Sequence, residues 1–489
     1  MKNQLATWEA RGQYGKTDVA LTSFTKTAAN VLRGAVDVPD HLATTLHAYG
    51  LQALGRPKIA ETDKEVVSTW NTQIAASDEW RIAPRGGSAD EEGLSVSEDG
   101  RQFEMWKLVR SAMLPEHHPL RLACADFAEK WEAFKTELDV IDFTDMITLT
   151  LQNELPFPYD VGALVVDEAQ DLQPAQWALV RQWAQSLETF LVAGDPGQCL
   201  FSYTGARPDE LLEKRDGIKQ QVLSQSYRLP VEVFLEAESW LGAHHSGSIM
   251  EGREYSPRDE MGSVERIGSN WRTPAFAIDA AAAAAAAGKT VMVLAQAHYQ
   301  LGPTVAEMRN RGMAFSNVYR PTDGQWNPLG QGKTAARVEA FAHGSTEGWP
   351  EMIRATAFTS TKKTALEDPA RIEEWLTPEA HAAFKARDIA WLQRHLTKQF
   401  ERPAEYAARL VRAGVDLRET PRITVGTVHS VKGAEAQVVI FFPELSRAAW
   451  QEWSDNQDAG CRMAYVAMTR ASERLIYTDV SPGGYGLPL

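Results

Sequence analysis

The sequence predicts an α/β protein: two α/β cores in tandem, each interrupted by a helical insertion. Three observations carry that reading. Residues 163–166 and 190–193 are short apolar runs that end in Asp167-Glu168 and in Gly194-Asp195-Pro196. Parallel strands with active residues at their carboxyl ends have that pattern. A second set of such runs, at 291–295, 423–425 and 438–442, follows far downstream. Long helix-patterned stretches, 51–148 and about 336–415, fall inside each set.

In chain order, residues 18–24 (DVALTSF) read as a buried strand, and a helix follows over 25–33. Within 51–148 the acidic, Gly/Ser-rich segment 86–100 reads as a surface loop. Eight alanines at 280–287, stopped by Gly288, read as one plain helix, since Ala is the best helix former and Gly the usual stop. The 336–415 stretch carries Trp349, Trp375 and Trp391. The first core is then 1–55 with 149–230, interrupted by 56–148. The second is 231–335 with 416–489, interrupted by 336–415.

Composition bounds the function without choosing it. The chain has 489 residues, a net charge of −15 and a pI near 5.3. That balance argues against a protein that coats nucleic acid, but not against one that grips a single strand in a narrow groove. Cys124, Cys199 and Cys461 are few and far apart. This fits a reducing, cytoplasmic compartment and argues against a disulfide or zinc framework. There is no apolar run of membrane-spanning length and no signal-type apolar core at the start.

The chemistry concentrates in Val165-Val166-Asp167-Glu168-Ala169-Gln170-Asp171. A strand delivers two adjacent acids to a sheet edge. In phosphoryl transfer one such acid holds Mg²⁺, and the second orients or deprotonates the attacking water.

This string resembles motif II of the UvrD/Rep-type superfamily 1 DNA helicases, and companion motifs follow in the family's order. Gly194 to Ala206 (GDPGQCLFSYTGA) resembles motif III, with Thr204 where an Arg is common. The resemblance implies that Gln198 senses the γ-phosphate and that Tyr203 stacks on a base. Gln225-Ser226-Tyr227-Arg228 resembles motif IV, placing Tyr227 on adenine and Arg228 on the γ-phosphate. Residues 423–435 (ITVGTVHSVKGAE) resemble motif V: Thr427 and His429 would face the DNA backbone, Gly433 and Glu435 the nucleotide. Residues 462–471 (RMAYVAMTRA) resemble motif VI, with Arg470 as an arginine finger. Residues 23–29 and 45–49 resemble motifs Ia and Ib, so Phe24, Thr25, Thr45 and His47 would touch the strand. Asp142-Phe143-Thr144-Asp145-Met146 matches the family's return from its first insertion.

The resemblance implies two RecA-like P-loop NTPase cores with ATP and Mg²⁺ between them. Asp167 would be the metal ligand, single-stranded DNA would cross both cores, and translocation would run 3′ to 5′. One motif is not found. A P-loop, G-x-x-x-x-G-K-[ST], needs a strand, a glycine-rich loop and then a helix. Gly15-Lys16-Thr17 precedes a strand, Gly288-Lys289-Thr290 follows a helix and opens a strand, and Gly332-Lys333-Thr334 follows a loop. Residues 2–14 suit the helix that follows the family's P-loop. Three explanations are open: a truncated product, a split motor completed by a separate N-terminal segment carrying the P-loop, or an ATPase-inactive DNA-binding or partner-docking relative. No fused nuclease is expected past Arg470.

Overall fold

The computed structural model describes residues 8–24, 38–83, 100–213, 217–247, 249, 255–321, 323–329, 334–367 and 369–489. The chain divides into two compact units, Met1–Gln220 and Gln221–Leu489. The helix expected over 25–33 and the loop expected over 86–99 lie outside the described residues.

The first unit is organised on a four-stranded sheet: β1 (Val19–Ser23), β2 (Ala43–Thr45), β3 (Ala163–Asp167) and β4 (Thr189–Val192). Their order is β2-β1-β3-β4, and every pairing is parallel. β1 and β3 are largely apolar, β1 ending in Thr22-Ser23, and are buried along their length apart from the terminal Asp167, as strands covered on both faces must be. Parallel register puts Ser23 beside Asp167 and Thr45 beside Ser23. The loops that leave β1, β2, β3 and β4 therefore emerge on one edge. In open α/β sheets that edge is where ligands bind.

The first insertion has its own aromatic core, in which Trp70, Phe103, Phe127, Trp131 and Phe134 pack together. The chain enters and leaves it side by side, Lys58–Ile59 pairing in parallel with Val140–Ile141.

The second unit carries a five-stranded sheet: β5 (Ser263–Ile267), β6 (Val291–Ala295), β7 (Ile423–Thr427), β8 (Ala436–Phe441) and β9 (Ala471–Thr478). The order is β5-β9-β8-β6-β7, again all parallel. The alanine run lies in a helix, Ala275–Ala286, that packs Ala277, Ile278 and Ala281 onto this sheet. It ends before Gly288, whose φ of +81° is accessible to glycine at no steric cost. Residues 335–408 supply a separate helical core around Phe341, Trp349, Phe384 and Trp391. Among the described residues no helix is long and apolar enough to cross a membrane.

Candidate functional site

In the first unit, β3 ends at Asp167 and the chain turns sharply through Glu168, which sits at φ 55°, ψ 36°. A non-glycine residue in this left-handed region carries strain and persists only where its surroundings hold it. Gln170 does the holding. Its side chain is fully buried; Nε2 donates to Glu168 Oε2 at 2.5 Å, and Oε1 accepts from Asp195 N–H at 3.1 Å. Gly194 has no room for a side chain, because a Cβ there would stand 2.5 Å from Gln170 Oε1. Asp195 in turn accepts from Gln198 Nε2 at 3.0 Å and caps the following turn through Gly197 N–H. One chain of hydrogen bonds thus joins the acid at the end of β3 to the glutamine after β4. Asp167 and Glu168 are both half-buried. A carboxylate that keeps contact with solvent at a strand end fits a hydrated divalent cation.

Tyr203 is half-buried beside Phe201, which packs on Phe24 with ring centroids 5.0 Å apart. Burial and the neighbouring Asp171 push the Tyr203 phenol up to about 12. Phe24 is buried, so its ring is part of the support behind Tyr203. Thr25 lies outside the described residues. Thr45, expected at the strand's phosphates, is 3 % exposed, and its hydroxyl accepts from Ala48 N–H as the cap of helix Leu46–Ala53. That commitment makes Thr45 the cap that aims the helix carrying His47. His47 is half-buried against Phe143, 5.8 Å between centroids. It lines a polar cleft with Ser111, Thr144, Gln173 and Gln176.

The Phe143 N–H donates to the Glu61 carboxylate at 3.2 Å, and beside it lies a buried ion cluster that the sequence did not reveal. Arg110 donates to Asp145 at 2.7 Å and to Asp142 at 2.6 Å; Lys135 donates to both acids, and Trp131 Nε1 to Asp142. Burial works against the Asp142 charge, but Arg110 and Lys135 override it and hold that carboxyl far below the ordinary range. Burial and Asp142 itself push Asp145 upward.

In the second unit, Tyr227 is 88 % exposed, a free ring face on an otherwise ordered loop. Arg228 is half-buried and donates through Nε to Glu435 at 2.6 Å and through Nη1 to the Thr469 carbonyl at 3.4 Å. Gly433 and Glu435 are exposed, and Gly433 takes φ +80°. Tyr227, Arg228, Gly433 and Glu435 therefore belong to one surface. Tyr319, which carried no sequence signal, also lies near it: burial and Glu435 raise its phenol while Arg470 opposes the shift.

Arg470 departs from expectation. It is 1 % exposed, and its donors go to the carbonyls of Val466 (3.0 Å) and Ala434 (3.0 Å) and to Thr469 Oγ1 (3.2 Å). In this arrangement it is a bracket holding the 434–436 segment; the guanidinium that reaches the surface is that of Arg228. Thr427 and His429 are half-buried where the chain leaves β7.

None of the Gly-Lys-Thr segments forms a phosphate cradle among the described residues. The Gly15 amide already donates to Asp18 at 2.9 Å, and β1 follows at once. Lys289 is ion-paired with Glu473, and Thr290 exchanges hydrogen bonds with Gln437 as β6 begins. Gly332 and Lys333 lie outside the described residues, and Thr334, the first residue of a helix, is buried.

Residues 3–219 match the family model for the UvrD/REP helicase N-terminal domain. The chain is 24% identical to the ATP-dependent DNA helicase UvrD2 of Mycobacterium tuberculosis (strain ATCC 25618 / H37Rv), across 99% of this chain and 75% of UvrD2. It is 33% identical to the ATP-dependent DNA helicase Rep of Escherichia coli (strain K12) over 20% of this chain and 16% of Rep. Against Rep of Buchnera aphidicola subsp. Acyrthosiphon pisum the identity is 30%, over 23% of this chain and 20% of that protein.

Proposed function

We propose that this chain, whose residues 3–219 match the UvrD/REP helicase N-terminal domain and which is similar to UvrD2 along its length, is the motor of an ATP-dependent DNA helicase, moving 3′ to 5′ on single-stranded DNA. The observation that carries the reading is the bonded chain Glu168–Gln170–Asp195–Gln198. It ties the acid suited to activating water to the loop that leads into Tyr203, a base-stacking candidate. Stacking suits a translocase because every base offers a π-face.

In this reading the two units are RecA-like cores. Asp167 holds Mg²⁺, which supplies charge neutralisation at the phosphates when bound. Glu168 takes the proton of the attacking water. Tyr227 stacks on adenine, Glu435 meets the ribose, and Arg228 supplies the positive charge that the γ-phosphate needs in the transition state. In this reading the P-loop comes from a separate segment, since two of the Gly-Lys-Thr segments here, 15–17 and 288–290, spend donors on Asp18, Glu473 and Gln437. The same observation favours a second reading, a DNA-binding relative without hydrolysis.

ATP hydrolysis with and without single-stranded DNA, using Glu168→Gln as the blank, separates the two. DNA-stimulated turnover that disappears in Glu168→Gln, with strand binding unchanged, is the expected result once the P-loop segment is joined to the chain. Strand binding with no turnover even then would establish the second reading.

A further inference from the structure

We propose that Asn317, outside every motif singled out in the sequence, is a positioning residue that sets the turn presenting Thr427 and His429 to a DNA phosphate. The inference rests on the strand-facing reading of that turn given above.

The chain leaves helix Gly302–Arg311, buries Phe315, and lays Ser316 against the open edge of β7. Ser316 N–H donates to the Ile423 carbonyl at 3.0 Å, and its own carbonyl accepts from Val425 N–H at 3.3 Å. Asn317, the next residue, is 0 % exposed. Its Nδ2 donates to the Val425 carbonyl at 3.0 Å and to Ser430 Oγ at 3.2 Å; its Oδ1 accepts from Tyr319 N–H at 3.1 Å. Its own N–H is held by Asn327 Oδ1 at 2.8 Å. Gly426 accommodates this amide: a Cβ there would lie 2.4 Å from both Asn317 Nδ2 and Ser430 Oγ.

Ser430 passes the constraint on. Its hydroxyl donates to the Thr427 carbonyl at 2.7 Å, and its N–H reaches Thr427 Oγ1 at 3.3 Å. Asn317 therefore fixes Ser430, whose hydroxyl holds the Thr427 carbonyl and whose N–H holds Thr427 Oγ1. Because Thr427 Oγ1 is already accepting, its hydroxyl proton is turned toward another acceptor. A phosphate oxygen is the acceptor a translocating strand brings past it. Asparagine is the side chain that can donate at this depth to a carbonyl and a hydroxyl while accepting from the backbone two residues on.

The test needs no nucleotide. Fluorescence anisotropy of a labelled oligo-dT is measured over a salt series with the full chain. The proteins are the wild type, Thr427→Ala, Asn317→Ala, Asn317→Asp, Ser430→Ala and the Asn317→Ala/Thr427→Ala double variant. The salt slope counts phosphates neutralised by Lys and Arg, so removing a neutral hydroxyl contact lowers affinity at every salt concentration and leaves the slope as in the wild type. Thr427→Ala and Asn317→Ala are each expected to weaken binding about tenfold with an unchanged slope. The double variant is expected to be no weaker than either single one, because both remove the same contact. Independent losses would add, so the double variant separates positioning from a general loss of fold. Ser430→Ala removes the hydroxyl between Asn317 and the Thr427 carbonyl while keeping the Asn317–Val425 bond, and it covers the case in which the Asn317 variants do not fold. Wild-type affinity in Asn317→Ala and Ser430→Ala, beside weakened binding in Thr427→Ala, would overturn the proposal. No change in Thr427→Ala would overturn the strand-facing reading of the turn, and the proposal with it.

Discussion

Tyr203 shows how burial alone can set the behaviour of a candidate contact residue. Burial and Asp171 raise its phenol to about 12, against about 10 in the unfolded chain. A raised folded-state value contributes stability that is complete below the unfolded value and is lost as pH rises through the folded one. Between pH 10 and about 12 the unfolded state ionises first, so the fold weakens. Tyr203→Phe is therefore expected to flatten the fall in melting temperature over that window and to leave it unchanged at pH 7, a comparison open to thermal melts with absorbance detection. Residues of this kind were legible as types but not as environments. Asp167, Glu168, Tyr227 and Glu435 were singled out from strings, and each stands half-buried or exposed at a strand end or loop. Thr45 and Arg470 carry the right groups, but a sequence does not say where a donor or lone pair is already committed. Here a helix cap and two backbone carbonyls had claimed them. Gln170 stood inside the quoted motif string; its role needed the Asp195 amide, 25 residues on.

At the scale of the element, the helices of the first insertion are tied to its return segment by the Arg110–Lys135–Asp142–Asp145 cluster. Truncating one partner of a buried ion network strands the others, at about 3–5 kcal/mol. Arg110→Met is expected to lose stability of that order in urea unfolding, with an apolar side chain of similar length in place. It would also loosen Phe143 against His47. The string Asp142–Met146 marked this return segment in the sequence, but its partner Arg110 lies 32 residues upstream of Asp142, and nothing in Glu104-Met105-Trp106-Lys107-Leu108-Val109-Arg110 distinguishes a buried cation from a solvated one. Strands followed the same rule. The runs in β3, β4, β6 and β8 are visible as continuous hydrophobic segments, β1 opens with Val19-Ala20-Leu21, and β7 alternates Ile423-Thr424-Val425. β2 has three residues, β5 alternates Val264-Glu265-Arg266-Ile267 at a sheet edge, and β9 opens with Ser472-Glu473-Arg474. Their pairing comes from parallel neighbours, a non-local cause.

At the scale of the molecule, each unit owns a parallel sheet and a separate helical core. Two sheets that share no strand give two independent sources of cooperativity. Residues 1–220 and 221–489 made separately are expected each to give a sigmoidal denaturant transition by circular dichroism; a structureless half would refute the division. The tandem arrangement was legible because strand runs recur in two groups separated by helix-patterned stretches, whereas the point of division was not. No composition shift marks Gln220–Gln221.

The left-handed turn at Glu168 has a consequence for how this protein can vary. The backbone there suits glycine, and a carboxylate side chain occupies it at a cost of about 1–3 kcal/mol. Stability and chemistry thus pull in opposite directions at a single codon. Glu168→Gly is therefore expected to raise the melting temperature while removing the carboxylate, the two effects read separately by thermal melts and by ATP hydrolysis.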